Sequence, residues 1–324
     1  MSVVQIAGAR PGAGATTVAC GLASVLRSEG KRVTLVKPLS AVGDADPAFL
    51  ASLGGSAETV AVEGAASAEQ MAEAAKIVQG AAAGVDVVVV EGPPLADGAA
   101  ELARSTGAAV VGVLEYERTL GAGASGAWRE AFGDALAGCV VNKRTRYAEH
   151  DASARLAVEL EDAGMPVLGV LPEERLLLAP TVQQAAEHLG GTYFTGEEGG
   201  SELIEHFLIG GLITEWGGNY FGRLPNQAVV VRGGRIDIQM SALNFPLNAL
   251  FLTGCETPSQ YVYQRADDLD VPLIAVGSNT HDTAAALESL SGAVSVHHAA
   301  KAERAGAMAR ECVDASALSA ALGG

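Results

Sequence analysis

Short apolar runs rich in valine alternate with longer, alanine-rich segments along the first half of the chain. The runs have the length and the β-branched content of strands buried on both faces, and the segments between them carry apolar residues at helical spacing. This alternation predicts a doubly wound, mainly parallel sheet whose strands are joined by helical crossovers. The predicted strands are residues 3–7, 32–36, 85–90, 109–114, 136–141 and 167–170, and the clearest predicted helices are 16–28, 69–82 and 151–163.

A second set of strands and helices follows a polar, glycine-rich stretch at residues 190–200. Its predicted strands are 227–231, 249–253, 273–276 and 293–296, again separated by helical segments. A chain of 324 residues with 49% apolar content is long enough to build two cores. The sequence therefore predicts two α/β domains, residues 1–195 and the smaller 205–324, with the glycine-rich stretch as their linker.

The first predicted strand runs into a glycine-rich turn before a helix, with the sequence GARPGAGATT at residues 8–17. This is the setting of a P-loop, in which backbone N–H groups and the helix N-terminus hold phosphate oxygens. The pattern predicts a P-loop NTPase-like nucleotide-binding domain. Thr16 stands where the Mg²⁺-binding hydroxyl belongs, but Ala15 stands where the pattern has a lysine. The candidate phosphate-binding residues are Arg10, Gly12, Gly14, Thr16 and Thr17.

The missing lysine limits the chemistry that this loop predicts. Phosphoryl transfer depends on electrostatic stabilisation, to which the loop lysine is a main contributor. Ala15 therefore predicts nucleotide binding without efficient ATP hydrolysis. Arg10 stands where a related loop type, KGGxGK[ST], carries an additional lysine, and it is a candidate for a replacement cation. A tight turn that binds nothing remains the alternative.

Polar residues follow three of the other predicted strands. Lys37, Glu91 and Asn142 stand at the carboxyl ends, the edge at which doubly wound sheets bind ligands. We expect Lys37 to contact the ligand, Glu91 to join Thr16 in binding Mg²⁺, and Asn142 to hydrogen-bond an adenine edge. A surface lysine, a solvated acid and a turn-forming asparagine are the alternatives that stay open.

Other metal-ligating residue types give less. Asp44 and Asp46, in the loop after the second strand, are candidates for a further metal carboxylate. His281, His297 and His298 have no partners at the spacing of metal ligands. We therefore predict no metal site built on histidine.

Charge and composition exclude several partners. The 38 acidic residues against 21 basic ones give a net charge of −17, which argues against a nucleic-acid or anionic-membrane surface. The sequence shows neither a signal peptide nor an apolar run fit to span a bilayer, and its four dispersed cysteines predict free thiols. We expect a cytoplasmic protein.

Five short motifs are spread over the first predicted domain: VKP at 36–38, VEGP at 90–93, VVN at 140–142, LPE at 171–173 and APTV at 179–182. Together with the glycine loop they resemble the deethiobiotin-synthetase-like P-loop family, and more closely the N-terminal region of long bacterial phosphotransacetylases. The resemblance implies a nucleotide pocket at the loop with ATP or ADP and Mg²⁺ as cofactors.

The second domain resembles a DRTGG domain in the segments VRGGRIDI at 231–238 and LTGCETP at 252–258. Gly234 replaces the aspartate of the name motif, and Cys255 replaces its second glycine. Gly233, Arg235, Asp237 and Thr253 are candidates for an anion pocket. A structural bridge or a dimer contact formed by Arg235 and Asp237 is the alternative, and both interpretations stay open.

The resemblance implies a nucleotide-binding regulatory or accessory protein, related to the part of phosphotransacetylases that precedes the catalytic domain. It further implies a homodimer and a protein partner in acetate or central carbon metabolism. One alternative is an ATP-dependent ligase of the deethiobiotin-synthetase or cobyrinate-amidation type, which activates a carboxylate or carbamate. Another is a P-loop fold that acts only in protein assembly.

Overall fold

The computed structural model describes residues 2–211, 216–290, 292 and 294–322. Contacts divide the chain into two compact units: Met1–Glu174 together with Val296–Gly324, and Arg175–Ser295. The second unit is therefore inserted in the sequence of the first. The two units confirm the predicted pair of α/β folds, but their bounds differ from residues 1–195 and 205–324.

The first unit is built on a six-stranded parallel sheet with the order β2-β5-β1-β6-β7-β8. Strands β3 and β4 form a separate parallel pair. Valine-rich strands such as β5 are buried along their whole length because helices cover both faces of the sheet. The strands are β1 Ser2–Gly8, β2 Val33–Val36, β3 Leu39–Ala41, β4 Val60–Val62, β5 Val87–Glu91, β6 Ala109–Glu115, β7 Leu136–Arg144 and β8 Val167–Pro172.

Seven helices of the first unit lie between these strands. A π turn at Ala152–Leu156 joins the sixth and seventh into one helical stretch, in agreement with the predicted helix 151–163. The helices are α1 Ala15–Ser28, α2 Asp46–Ser52, α3 Ala68–Ala81, α4 Ala99–Thr106, α5 Ser125–Phe132, α6 Glu149–Asp151 and α7 Ala157–Asp162.

The second unit has a five-stranded sheet with the order β10-β11-β12-β13-β9, in which β9 alone among the described strands runs antiparallel. Ile238 and Val262 pack on one face of the sheet, and Val182 and Leu287 pack on the other. Its elements are β9 Thr192–Thr195, β10 His206–Ile209, β11 Gln227–Arg232, β12 Ala249–Thr253 and β13 Leu273–Val276, with α8 Arg175–Leu178, α9 Val182–His188, α10 Gly217–Phe221, α11 Ile236–Ala242, α12 Gln260–Asp267 and α13 Thr280–Leu290.

The predicted linker at 190–200 is wrong. Strand β9 lies inside it and pairs with β13, and a 3₁₀ turn, Glu197–Ser201, follows. The glycines that suggested a linker flank a Thr-Tyr-Phe-Thr strand, whose β-branched and aromatic residues favour a sheet. The predicted strand at 293–296 is also absent from residues 294–296, and Ala293 lies outside the described residues.

The chain then returns to the first unit as α14, Ala299–Cys312, and α15, Ala315–Ala321. Helix α14 packs along α1, and a backbone bridge between Val313 and Gly169 joins the segment to β8. Arg304 on α14 donates to Glu174 at 2.7 Å, where the chain leaves the unit. Residues 296–324, predicted as part of the second domain, are therefore structural parts of the first.

Small residues let α1 and α14 approach closely. Gly21 lies against Ala305 and Ala309, where an added Cβ would come 2.8 Å from the Cβ of Ala309. Gly306 lies equally close to Ser24. Helix α1 is buried on almost every face, since the sheet covers one side and α14 covers another.

The predicted fold class, a doubly wound and mainly parallel α/β sheet followed by a smaller α/β unit, is confirmed. The predicted free cysteines are found as well, since the structure shows all four as unpaired thiols. Among the described residues, we find no helix long and apolar enough to cross a membrane.

Candidate functional site

The carboxyl ends of five parallel strands meet at one edge of the first sheet. Strand β1 lies between β5 and β6, so the chain crosses to opposite sides of the sheet around its end. Such a switch point is where doubly wound sheets bind ligands. The glycine loop follows β1. Strands β2, β5 and β7 bring the predicted residues Lys37, Glu91 and Asn142 to the same edge, and β6 adds Glu115.

The loop has the backbone shape that the glycines predict. Gly12 and Gly14 adopt positive φ angles of 78° and 94°, and α1 begins directly after Gly14. The first helical hydrogen bond runs from the N–H of Val18 to the carbonyl of Gly14. No side chain of the described chain caps this helix, so its first turn presents N–H groups suited to an anion.

Asn142 binds the backbone of the glycine loop. Its Nδ2 donates to the carbonyl of Ala13 at 3.0 Å, and the side chain is buried. This bond shapes the loop backbone, a role that the sequence did not predict for Asn142. The amide has a second N–H and an acceptor oxygen that this bond does not use, so the contact with an adenine edge stays a prediction.

Gly14→Ala is expected to destabilise the first unit by about 2–4 kcal/mol, from left-handed backbone strain together with overpacking. An added Cβ would lie 2.2 Å from Nδ2 of Asn142. Gly12→Ala is the matched control, because it has a positive φ but no atom within 4 Å of the added Cβ. Urea unfolding of both variants measures the difference. Equal losses in the two variants would show that Asn142 does not restrain the loop.

Thr16 and Glu91 meet as the sequence predicts. The Thr16 hydroxyl donates to Oε1 of Glu91 at 2.9 Å, and Oε2 of Glu91 has no hydrogen-bond partner within the described part of the chain. Glu91 is only 4% exposed. Burial raises its pKa to about 7, even though the neighbouring Lys37 ammonium favours the ionised form. A buried carboxylate with a free oxygen beside the loop is suited to bind a cation or a proton.

Lys37 lies in a cluster of carboxylates. Its Nζ is 2.8 Å from Oδ2 of Asp44 and 3.1 Å from Oε1 of Glu91, and it also pairs with Asp46. Burial lowers the pKa of Lys37, but the three carboxylates outweigh it and raise the pKa above its ordinary value. The structure brings Lys37 to the predicted site, where its charge neutralises the protein's own acids.

His297 joins the same cluster from the far end of the chain. Its Nε2 is paired with Oδ1 of Asp46, which also holds Lys37. Burial raises the pKa of Asp46, but hydrogen bonds from His297 and Lys37 lower it to about 2. No pattern in the sequence predicts this contact, because the two partners are 251 positions apart.

Two cations flank the loop on the side of β6 and β7. Arg10 pairs with Oε2 of Glu115, and Lys143 Nζ lies 3.3 Å from Oε1 of the same carboxylate. Lys143 also donates to the carbonyl of Gly12 at 2.7 Å. Arg10 is thus at the loop, as predicted, and its partner Glu115 was not foreseen. Thr17 lies in the first turn of α1, half-buried.

The protein oxygens at this edge would supply only part of the ligands that Mg²⁺ needs. In the residues that the structure describes, no group of three or more His, Cys, Asp and Glu side chains is arranged around a metal position. Mg²⁺ commonly takes one or two protein oxygens and completes its shell with phosphate and water. The hydroxyl of Thr16 and the unpartnered oxygen of Glu91 fit that mode.

The candidates in the second unit form local contacts. Arg235 and Asp237 make a two-point ion pair, with both N–O distances 2.9 Å. Thr253 is buried, and its hydroxyl shares a hydrogen bond of 2.6 Å with that of Thr280. Gly233 lies against Cys255, where no Cβ would fit. These contacts agree with the structural-bridge interpretation, and the anion pocket stays a prediction.

Comparison with known proteins identifies the second unit. Residues 184–290 match the DRTGG domain family. A structure of the CBS and DRTGG domains of the regulatory region of Clostridium perfringens pyrophosphatase, complexed with the activator diadenosine tetraphosphate, is 14% identical with a TM-score of 0.32. The similarity covers 38% of this chain and 53% of that one, so the chain spans about half of that structure's length.

Two further solved structures are similar to the chain. The MinC:MinD cell division complex of Aquifex aeolicus is 17% identical with a TM-score of 0.40, over 55% of this chain and 84% of that one. The cell division protein FtsY of Thermotoga maritima is 20% identical with a TM-score of 0.39, over 53% of this chain and 62% of that one.

The chain thus combines two kinds of unit. The strand order, the glycine loop and its Thr16–Glu91 pair define a P-loop NTPase-like α/β unit. The inserted unit contains a DRTGG domain, which confirms that part of the sequence-based expectation.

Proposed function

We propose that the first unit binds ATP or ADP together with Mg²⁺, and that the protein is a nucleotide-binding regulatory or accessory protein. The observation that carries the proposal is the Thr16–Glu91 hydrogen bond at the start of α1, beside a glycine loop whose helix N-terminus has no capping side chain in the described chain. The loop supplies N–H groups for phosphate, and the pair supplies oxygen ligands for the metal.

The chemistry of the edge favours binding over turnover. Ala15 provides no charge for the transferred phosphoryl group, and Lys37 is held by three carboxylates of the protein. Because phosphoryl transfer depends on preorganised positive charge, we expect bound ATP to be hydrolysed slowly or not at all. This supports a regulatory role over the alternative of an ATP-dependent ligase.

The DRTGG domain is assigned the regulatory part of the proposal. Together with the motifs of the first unit that resemble the N-terminal region of phosphotransacetylases, this domain supports the proposal of a homodimer with a protein partner in acetate or central carbon metabolism. The candidate effector contacts in this domain remain Gly233, Arg235, Asp237 and Thr253.

Calorimetric titration with ATP and with ADP, each with and without Mg²⁺, tests the proposal. We expect binding of both nucleotides and tighter binding with Mg²⁺. Thr16→Val keeps the shape of the side chain but removes the proposed metal-binding hydroxyl. It should therefore remove most of the increase in nucleotide affinity that Mg²⁺ gives. Thr257→Val, the same exchange at an exposed position of the second unit, is the control.

The outcomes separate the alternatives. Absence of heat with either nucleotide would contradict the proposal and leave the P-loop fold a role in assembly alone. Phosphate release well above background, measured in the same solutions, would instead favour the ligase.

A further inference from the structure

An ammonium from another strand reaches the loop that lacks its lysine. Lys143, at the end of β7, donates from Nζ to the carbonyl of Gly12 at 2.7 Å. Its side chain is 37% exposed, so the charge lies at the rim of the loop and is not buried beneath it. The loop that carries Ala15 therefore receives a positive charge at Gly12 from a residue outside the loop.

The backbone at Lys143 is held in an unusual conformation. Its φ is 57°, in the left-handed region that residues other than glycine seldom adopt. This conformation follows directly after Asn142, whose amide holds the next carbonyl of the loop, that of Ala13. Two consecutive side chains of β7 thus bind two consecutive carbonyls of the loop.

These contacts orient the loop for an anion. In a trans peptide the carbonyl and the N–H point in opposite directions. Since Asn142 fixes the carbonyl of Ala13 on the β7 side, the N–H of Gly14 faces the other way, away from β7. Buried Glu91, with its unpartnered Oε2 and its bond to Thr16, independently indicates a ligand at this helix start.

Glu115 pairs with two cations beside the loop. One carboxylate pairs with Arg10 through Oε2 and with Lys143 through Oε1 at 3.3 Å. A polyphosphate carries more charge and more acceptor oxygens than a carboxylate, so it can take over both cations. Both side chains are partly exposed and long enough to reorient.

We propose that Lys143 supplies the phosphate-binding ammonium that Ala15 cannot, and that its ligand is the polyphosphate of a nucleoside di- or triphosphate. This inference rests on the proposed function. On ligand binding Lys143 leaves Glu115 and contacts phosphate oxygens, while Asn142 keeps the loop in place. One cationic residue of this P-loop therefore lies on strand β7, in addition to Arg10 within the loop.

The test compares Lys143→Gln with wild type by calorimetry, using ATP, ADP, AMP and adenosine with Mg²⁺. Glutamine retains a donor for the Gly12 carbonyl but removes the charge. We expect the dissociation constant for ATP to rise about 10- to 100-fold, the effect of one charged hydrogen bond, and that for adenosine to stay unchanged. Lys76→Gln, on the exposed face of α3, is the matched control.

A lysine exchange completes the test. Ala15→Lys combined with Lys143→Gln returns the charge to the loop itself, and it is expected to restore ATP affinity to within a few-fold of wild type. Tight ATP binding by Lys143→Gln alone would overturn the inference and leave the proposed function intact. Equal losses for ATP and adenosine would also overturn it, since Lys143 would then only support the loop. No ATP binding by wild type would reject the proposed function itself.

Discussion

Replacing Lys37 by methionine is expected to lower the free energy of unfolding by about 3–5 kcal/mol at pH 7, because breaking a buried ion pair from one side leaves its charges uncompensated. Asp44, Asp46 and Glu91 all depend on this ammonium. Methionine has a similar length, so packing changes little. Lys76→Met, at an exposed position on α3, is the control and should change stability by less than about 0.5 kcal/mol.

The loss in Lys37→Met should depend on pH with a defined sign. The pKa of Glu91 is raised to about 7, so the folded protein binds more protons than the unfolded chain between its ordinary pKa of 4.5 and 7. Stability from this group therefore falls as pH rises through that window. Without Lys37 the folded pKa rises further, so the deficit should be smaller at pH 5 than at pH 8.

Adding Glu91→Gln to Lys37→Met should recover a substantial part of the stability at pH 8, because the double variant no longer buries an unpaired carboxylate at this position. Thermal unfolding across the pH range is measured for wild type, Lys37→Met, Glu91→Gln and the double variant. A deficit in Lys37→Met that is the same at every pH, or that Glu91→Gln does not reduce, would contradict the electrostatic account.

Gly21→Leu is expected to disrupt the first unit more than any other single apolar substitution on α1. Even the first carbon of the new side chain would lie 2.8 Å from the Cβ of Ala309. Overpacking of this kind costs about 1–3 kcal/mol or more, and here the two helices must separate to admit a whole side chain. Gly21→Ala should also destabilise the first unit, but by a smaller amount.

Gly80 provides the control for that prediction. It also lies within a helix, α3, but an added Cβ there has no atom within 4 Å. Gly80→Ala should stabilise the protein by about 0.5–1 kcal/mol through helix propensity. Chemical unfolding measures the stability of the Gly21 and Gly80 variants, and limited proteolysis measures the exposure of their C-terminal helices. Stabilisation by Gly21→Ala would show that α14 does not pack on α1 as described.

The strands and the location of the site were predictable because they depend on local pattern. Valine runs such as β5 are typical of strands in a sheet that helices cover on both faces. The carboxyl ends of parallel strands necessarily lie at the same edge of the sheet. Lys37 and Glu91 were therefore placed beside Thr16 correctly. Their mutual ion pair was not predicted, since it depends on side-chain reach across β2 and β5.

The features that were not predicted depend on tertiary packing, which local sequence patterns do not show. Helix α14 carries Lys, Glu and Arg among alanines and is typical of a surface helix, yet its alanine and glycine positions are what fit it against α1. His297 has no ligand-like spacing to any acid, and it meets Asp46 only because the chain returns. Asn142 stands at the expected strand end, but its hydrogen bond to the carbonyl of Ala13 depends on the three-dimensional path of the loop and was not predicted.

The return of residues 296–324 has a consequence for how the protein is made. A ribosome delivers β1 to β8 first, then the whole of Arg175–Ser295, and only then the helix that covers α1. The described strands of the inserted unit all lie in one continuous stretch, so their pairing needs no later part of the chain. The first unit, in contrast, gains α14 and the contact of His297 with Asp46 only after the inserted unit has been synthesised.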